Sequence, residues 1–353
     1  MIEKILKNEI YKCSSCGGNL IFSPKDQELK CENCSRIFEI GKQNFKDKHT
    51  FLLAKEKEKE YLEWTSANKV FTCKNCGAKI IMKELEIAKV CAYCHSPYIV
   101  QEDELPGLVP DAVIPFKIDD KMASSHFAKN AKARFFVPRE FKKKMPESEI
   151  KKFYVPAFSF DANSSSVYSG ILERDETTFV KDGPPIVQVY SKSISGTKQC
   201  QHKNVVVETS SKLSQEEIQG ILPYDFEEAV RYNNAFISGY SVEYYANALN
   251  DCKSMADKIM KDSITQEILS EYSYSRVESF NLKCKFENEK YCYDILPIYK
   301  FDFDYKKKKY SCLMNGQTGK LGGGLPIAVG KIVAIVAFVA LVILAGILIS
   351  QLQ

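Results

Sequence analysis

The tightest constraint on this chain is one spacing that occurs twice. C-x2-C-x14-C-x2-C fills residues 13–34 (CSSCGGNLIFSPKDQELKCENC) and returns at residues 73–94 (CKNCGAKIIMKELEIAKVCAYC). Two thiolates at CxxC spacing on a tight turn can bind one ion from the same side, and a second such turn, returned by a short strand pair, completes a tetrahedron. The turn chemistry agrees: Gly17 and Gly18 follow the first pair and Gly77 follows Cys76, where left-handed backbone is often needed. Strand-like runs flank each set, NLIF, LKC and RIFEI around the first, AKIIM and AKVC around the second. Soft thiolates select Zn2+ over hard cations, and four protein ligands leave no open position for catalysis. A redox dithiol would need one CxxC beside a βαβ unit, not two facing pairs repeated. The sequence therefore predicts two structural zinc ions, one on Cys13, Cys16, Cys31 and Cys34 and one on Cys73, Cys76, Cys91 and Cys94. His95 could compete as a ligand in the second cage, but the fourth thiolate is the simpler choice.

The other five of the 13 cysteines, Cys200, Cys252, Cys284, Cys292 and Cys312, show no pairing pattern. The opening MIEKILKNEIYKC has charges throughout and no apolar run, unlike a secretory signal. Both features suit a reducing compartment, where paired cysteines are metal ligands more often than disulfides. One uninterrupted apolar run, IVAIVAFVALVILAGILIS over residues 332–350, is long enough as a helix to reach about 28 Å, close to the ~30 Å hydrocarbon core. Lys306, Lys307, Lys308, Lys309, Lys320 and Lys331 precede it and no charge follows. The positive-inside bias then predicts a single-pass C-terminal anchor in the cell membrane, contacting the bilayer through 332–350, with the N-terminal domains in the cytoplasm.

Between cages and anchor, echoes suggest a duplicated α+β unit. AVIPFKIDDKMA (112–123) is matched by GILPYDFEEAV (220–230), and FYVPAFSFDAN (153–163) by DILPIYKFDFD (294–304). Within each copy a helix is expected first, in DKMASSHFAKNAKARF or VEYYANALNDCKSMADKIM, and strands after it, in SSSVYSGIL or KKKKYSCLMNG. The expected fold class is α+β: zinc ribbon 1 (1–46), a charged linker helix (47–66), zinc ribbon 2 (67–105), α+β copies over 106–212 and 213–325, and a transmembrane anchor (326–353). MNGQTGKLGGGLP (314–326) fails the phosphate-loop pattern and reads as a hairpin at Asn315-Gly316 followed by a flexible glycine joint.

For function, the ribbon region is close to neutral by its acids and bases, and each tetrathiolate zinc adds about two negative charges. Arg36 is its only arginine, which counts against nucleic acid as a partner. Only Cys200 and His202 place a thiol near an imidazole, on one strand face, without an orienting third group, so no catalytic site is expected.

Each cage resembles a zinc ribbon of the transcription-factor-B type. With AVIPFKID, FVPREFK, YVPAFSFDA, ILPYDFEEA, ISGYSVEYY and MNGQTGKLGGGLPI added, most of the chain resembles a family of bacterial membrane-anchored zinc-ribbon proteins. Members are often labelled primosomal helicase or replication-factor-Y-like, although this chain has no helicase ATPase motif. The resemblance implies an adaptor that works at the membrane with flotillin-like proteins and phage-shock-type envelope-stress effectors. The chain departs from the family in carrying two cages and one clear span. The expectation is a membrane adaptor for protein partners; the alternative is a membrane-tethered nucleic-acid binder.

Overall fold

The computed structural model describes residues 11–45, 47–51, 68–73, 75, 78–83, 99–101, 108–143, 149–178, 186–210, 212–245 and 247–351. Strands β1 (Leu20–Ser23), β2 (Glu28–Cys31) and β3 (Ile37–Phe38) make a small antiparallel sheet in the first cage region, as the strand-like runs predict. The linker helix expected from residue 47 does not start there. His49 and Thr50 form strand β4 (His49–Thr50), paired with Tyr291 and Lys290, because a partner distant in sequence outcompetes local Glu/Lys spacing. The rest of that linker, 52–66, lies outside the described residues.

Strands β5 (Asn68–Cys73), β6 (Lys79–Lys83) and β7 (Ile99–Gln101) belong to a twelve-stranded sheet, as does β8 (Ala112–Val113). Helix α1 (Asp120–Ala133) starts where Asp119 accepts the amide of Met122 at 2.8 Å, and buries Ala123, Phe127 and Ala131 at four-residue spacing. The short α2 (Arg139–Lys143) follows, then β9 (Glu149–Thr178) and β10 (Ile186–Glu208). Next come α3 (Gln215–Ile221), β11 (Val230–Arg231), β12 (Ser241–Glu243) and α4 (Leu249–Ser270). The last elements are β13 (Arg276–Tyr305), β14 (Lys308–Asn315), β15 (Leu321–Gly323) and α5 (Val329–Gln351). The molecule is thus mixed α+β, with the cysteine cluster near one end of the chain and one apolar helix near the other.

β9 and β13 are each 30 residues long and pair antiparallel from Glu149↔Asp302 to Glu173↔Arg276. Drawn straight, such strands would reach about 100 Å; bulges at Val277/Ser279 and Glu287/Lys290 bend the pair. Along Phe153–Phe160 and Tyr291–Tyr299 every residue is buried, so both faces are covered. Alternate residues sort into two layers. Tyr154, Phe158, Tyr293 and Tyr299 join α1 and the small sheet, while Phe153, Val155, Leu296 and Ile298 join α3. Beyond Ala162, β9 alternates buried and exposed, because among the described residues α4 covers one face there.

The short parallel strands are placed alike about the central pair. β8 runs beside Asp294 and Ile295 of β13, and β12 beside Phe153 and Tyr154 of β9. Pro297 faces Tyr154, and Pro156 faces Ile295. In this arrangement β12, not the echo at 220–230, stands where β8 stands in the other half. The expected boundary at 105/106 is not a break in the sheet, since β12 also pairs with β6 through Val242↔Ile81. Val242 and Glu243 are therefore strand, and the helix expected from 242 begins at Leu249.

Candidate metal centre

Two knuckles of the same backbone geometry build the first cage. The amide of Cys13 donates to Gly18 O (2.8 Å) and that of Cys31 to Arg36 O (2.9 Å). In each, the residue four past the first cysteine donates back to it, Gly17 to Cys13 O (2.8 Å) and Ser35 to Cys31 O (3.0 Å). Both closing residues are left-handed, with φ of 71° at Gly17 and 59° at Ser35. The glycine expected to supply this conformation does so in the first knuckle; in the second a serine bears it.

Cys13 Sγ lies 3.6 Å from Cys34 Sγ, and Cys16 Sγ lies 3.4 Å from Cys31 Sγ. All four sulfurs fall within 4.8 Å of one another. A tetrahedron with Zn–S bonds of ~2.3 Å has edges of about 3.8 Å, so the set fits one tetrahedral thiolate-bound ion. Burial pushes the Cys13 thiol up, but the amides of Ser15 and Cys16 and the neighbouring thiols outweigh it and bring it to about 6. The amide of Cys34 is the main group holding Cys31 below its usual value. Backbone donors thus favour thiolate, the form a metal needs, at Cys13 and Cys31; at Cys16 the Gly18 amide pulls the same way, but the neighbouring thiols outweigh it and push the thiol up to about 12. Gly18 cradles the set from below: a Cβ there would stand 2.8 Å from Asn33 and 3.1 Å from Cys31 Sγ. Cys13 and Cys31 are buried while Cys16 and Cys34 are exposed, so the cage opens to solvent on one side.

The cage is not a free module. Phe22 donates its amide to Ser238 O (2.9 Å), and Ser238 Oγ donates to Leu20 O (2.8 Å). Phe22 and Phe236 rings lie 5.6 Å apart, and Gln27 Nε2 donates to Phe116 O (2.7 Å). The sheet behind the cysteines is therefore seated on residues 233–240, the turn that leads into β12.

Of the second predicted cage, Cys73 is fully buried, and its amide donates to Ala78 O at 2.9 Å, the same five-residue reach as in the first cage. Cys76, Cys91 and Cys94, with His95, lie outside the described residues.

Cys200 and His202 do not form a dyad. His202 Nε2 meets Ser164 Oγ at 3.0 Å, and Cys200 Sγ faces Glu267 Oε2 at 3.7 Å. Burial, then the charge of Glu267, raises the thiol, and burial lowers the imidazole, so neither is poised for attack. The glycine-rich stretch also differs from expectation. Asn315 Nδ2 donates to Ile221 O (3.0 Å) and Pro223 O (3.1 Å), and its Oδ1 accepts from the amides of Gln317 (2.9 Å) and Thr318 (3.0 Å). The hairpin is present, but Leu321–Gly323 pair with β14 and are not a loose joint. The glycines admit close contact: a Cβ on Gly316 would collide with the Phe116 ring.

A polar cluster that motif reading passes over lies across the sheet. Asp294, 2% exposed, accepts from Cys292 Sγ at 3.1 Å, and its Oδ2 has no hydrogen-bond partner among the described residues. Burial raises its pKa to about 6, against the opposing pull of Lys48. A cavity of about 230 Å³ opens beside it, lined in part by Lys48, Asp161, Lys203, Asn204 and Cys292. Lys48 Nζ is already held 2.7 Å from both Asp161 and Asn204. The one available signal was an acid inside the apolar run YCYDILPIY.

No family model matches the chain, and no solved structure matches it. A Bacillus subtilis (strain 168) protein named "Uncharacterized protein YdjG" is 27% identical over 338 residues, covering 92% of each chain. The likeness therefore extends over most of each chain.

Proposed function

We propose that the chain is a membrane-anchored zinc-ribbon adaptor that holds protein partners at the cytoplasmic face of the cell membrane. Zinc is the ion that suits four thiolates with no vacancy, and it serves here to fix backbone shape. The second cysteine set takes a second ion by the same logic. Residues 329–347 are long and apolar enough to cross a bilayer, and none of the stretch is buried against the rest of the molecule. That exposure in water is unfavourable and supports the anchor reading. The matched places of β8 and β12 support an ancestral duplication, with the two copies exchanging their short strands.

The observation that carries the adaptor reading is the far end of the β9–β10 ribbon. Ile186, Val187, Val189 and Tyr190 are 51%, 56%, 48% and 51% exposed, apolar on both faces of one strand. β10 has β9 as its strand partner among the described residues, which leaves its other edge open there. An open edge with exposed apolar side chains is a template for a protein partner. Flotillin-like or phage-shock-type membrane proteins are the partner class implied by the family resemblance.

The test is recovery of partners with the full chain from detergent-solubilised membranes, beside a Val187→Asp, Val189→Asp variant and a Cys13→Ser, Cys73→Ser variant. The expected outcome is flotillin-like or phage-shock-type proteins with the unaltered chain, lost with the strand variant. Nucleic acid that co-purifies and leaves in high salt, without such proteins, would overturn the reading.

A further inference from the structure

Three segments distant in sequence meet at the foot of α5. Residues 134–143, 305–310 and 326–331 together carry nine lysines and arginines and one glutamate. The loop between α1 and α2 is tied to the helix: Lys331 Nζ donates to Phe135 O (2.6 Å) and Val137 O (3.1 Å), and the Ala328 amide to Phe136 O (2.8 Å). Phe135 and Phe136 remain 63% and 45% exposed. The third segment is the β13–β14 turn, where Lys306 and Lys307 both stand left-handed, at φ of 48° and 63°. Asn-Gly fills such a turn with less strain than two lysines do. Both lysines are exposed, so packing does not explain them; their charge does.

Two clefts separate these segments. One of about 570 Å³ is lined by Arg139, Tyr305, Lys306, Lys308, Tyr310 and the start of α5, with Glu140 as its one acid among the described residues. Glu140 is engaged by Lys306 at 3.1 Å. The other, about 370 Å³, is lined mainly by Phe135, Phe136, Val137, Leu325, Pro326 and Ile327, and shares the last two residues with the first cleft. A cationic cleft thus runs into an apolar one at the level where the span begins.

We propose that this pair of clefts binds an anionic phospholipid of the bilayer that α5 enters, its phosphate among Arg139, Lys306 and Lys308 and its upper acyl chain along Phe135 and Phe136. The proposal rests on reading α5 as a span. Cations at an anionic membrane surface and aromatic rings at headgroup depth are both favourable. A lipid fits better than free phosphate, because a soluble anion would leave Phe135, Phe136 and Ile327 in water.

The test uses the full chain in nanodiscs of phosphatidylcholine alone or with added phosphatidylglycerol, read by amide hydrogen exchange. With phosphatidylglycerol, exchange at 134–143 and 305–310 should slow about fivefold or more, while α4 stays unchanged. Lys306→Gln with Lys308→Gln should abolish the slowing, as should Phe135→Ser with Phe136→Ser, each leaving α4 protection intact. Equal exchange in both kinds of disc overturns the proposal. Equal slowing by inorganic phosphate in phosphatidylcholine discs also overturns it, in favour of a soluble anion. A chain that does not remain with phosphatidylcholine discs overturns the span itself, a failure visible before any lipid is varied.

Discussion

Ser35 closes its knuckle at φ 59°, the conformation Gly17 supplies without strain on the other side. Ser35→Gly should relieve about 1 kcal/mol and slow metal loss to a chelator, followed by the rate of release into a colorimetric acceptor. Asp294 permits a prediction with a definite sign. Its folded pKa of about 6 exceeds the ordinary aspartate value of 3.8, so the folded state binds its proton more tightly than the unfolded chain. Stability from this residue is intact below about pH 4, falls as pH rises to about 6 and is flat above, a loss of about 3 kcal/mol in all. Asp294→Asn should therefore raise thermal stability in detergent by about 1–3 kcal/mol at pH 7.5 and change little at pH 4. Glu208, raised to about 8 chiefly by burial, lowers stability over its own window in both proteins and cancels in the comparison. A midpoint gain equal at both pH values would show that the carboxylate charge is not the cause.

At the scale of elements, what was legible in the sequence was what is decided locally. The cysteine spacing forces the knuckles, and Asp119 with apolar residues at four-residue spacing marks α1. The long strands were legible only in pieces, because alternation disappears where both faces are covered, as along Phe153–Phe160. The start of α4 was misplaced because β6 and β9 claim Val242 as strand, a contact no local pattern announces. For the same reason the Asp294 cluster escaped motif reading, being assembled from residues 48, 161, 204 and 292–294. Helix α4 buries Cys252, Ala256, Met260, Ile264 and Ile268 as one stripe over the ribbon. Ile264→Ala should cost about 2–4 kcal/mol and speed hydrogen exchange along α4 and the β10 residues beneath it. Met255→Ala, on the exposed side, should stay within about 0.5 kcal/mol.

For the whole molecule, the seat of the cage on residues 233–240 joins metal occupancy to the main sheet. Cys31→Ser should lower the metal content by elemental analysis and also raise exchange at 233–243, through the lost Phe22–Phe236 and Ser238 contacts. Exchange unchanged there would mean that the cage merely rests on the sheet.

The pairing of β9 with β13 also carries a timetable. Pro156 and Ile295 face each other across about 140 residues of chain. At about 5–20 residues per second, the segment holding Phe153, Tyr154, Phe158 and Phe160 leaves the ribosome roughly 7–28 s before its partner exists. For that interval an aromatic strand with an unpaired edge is in the cell without its neighbour. The newborn chain, more than the finished protein, is the form that needs a chaperone.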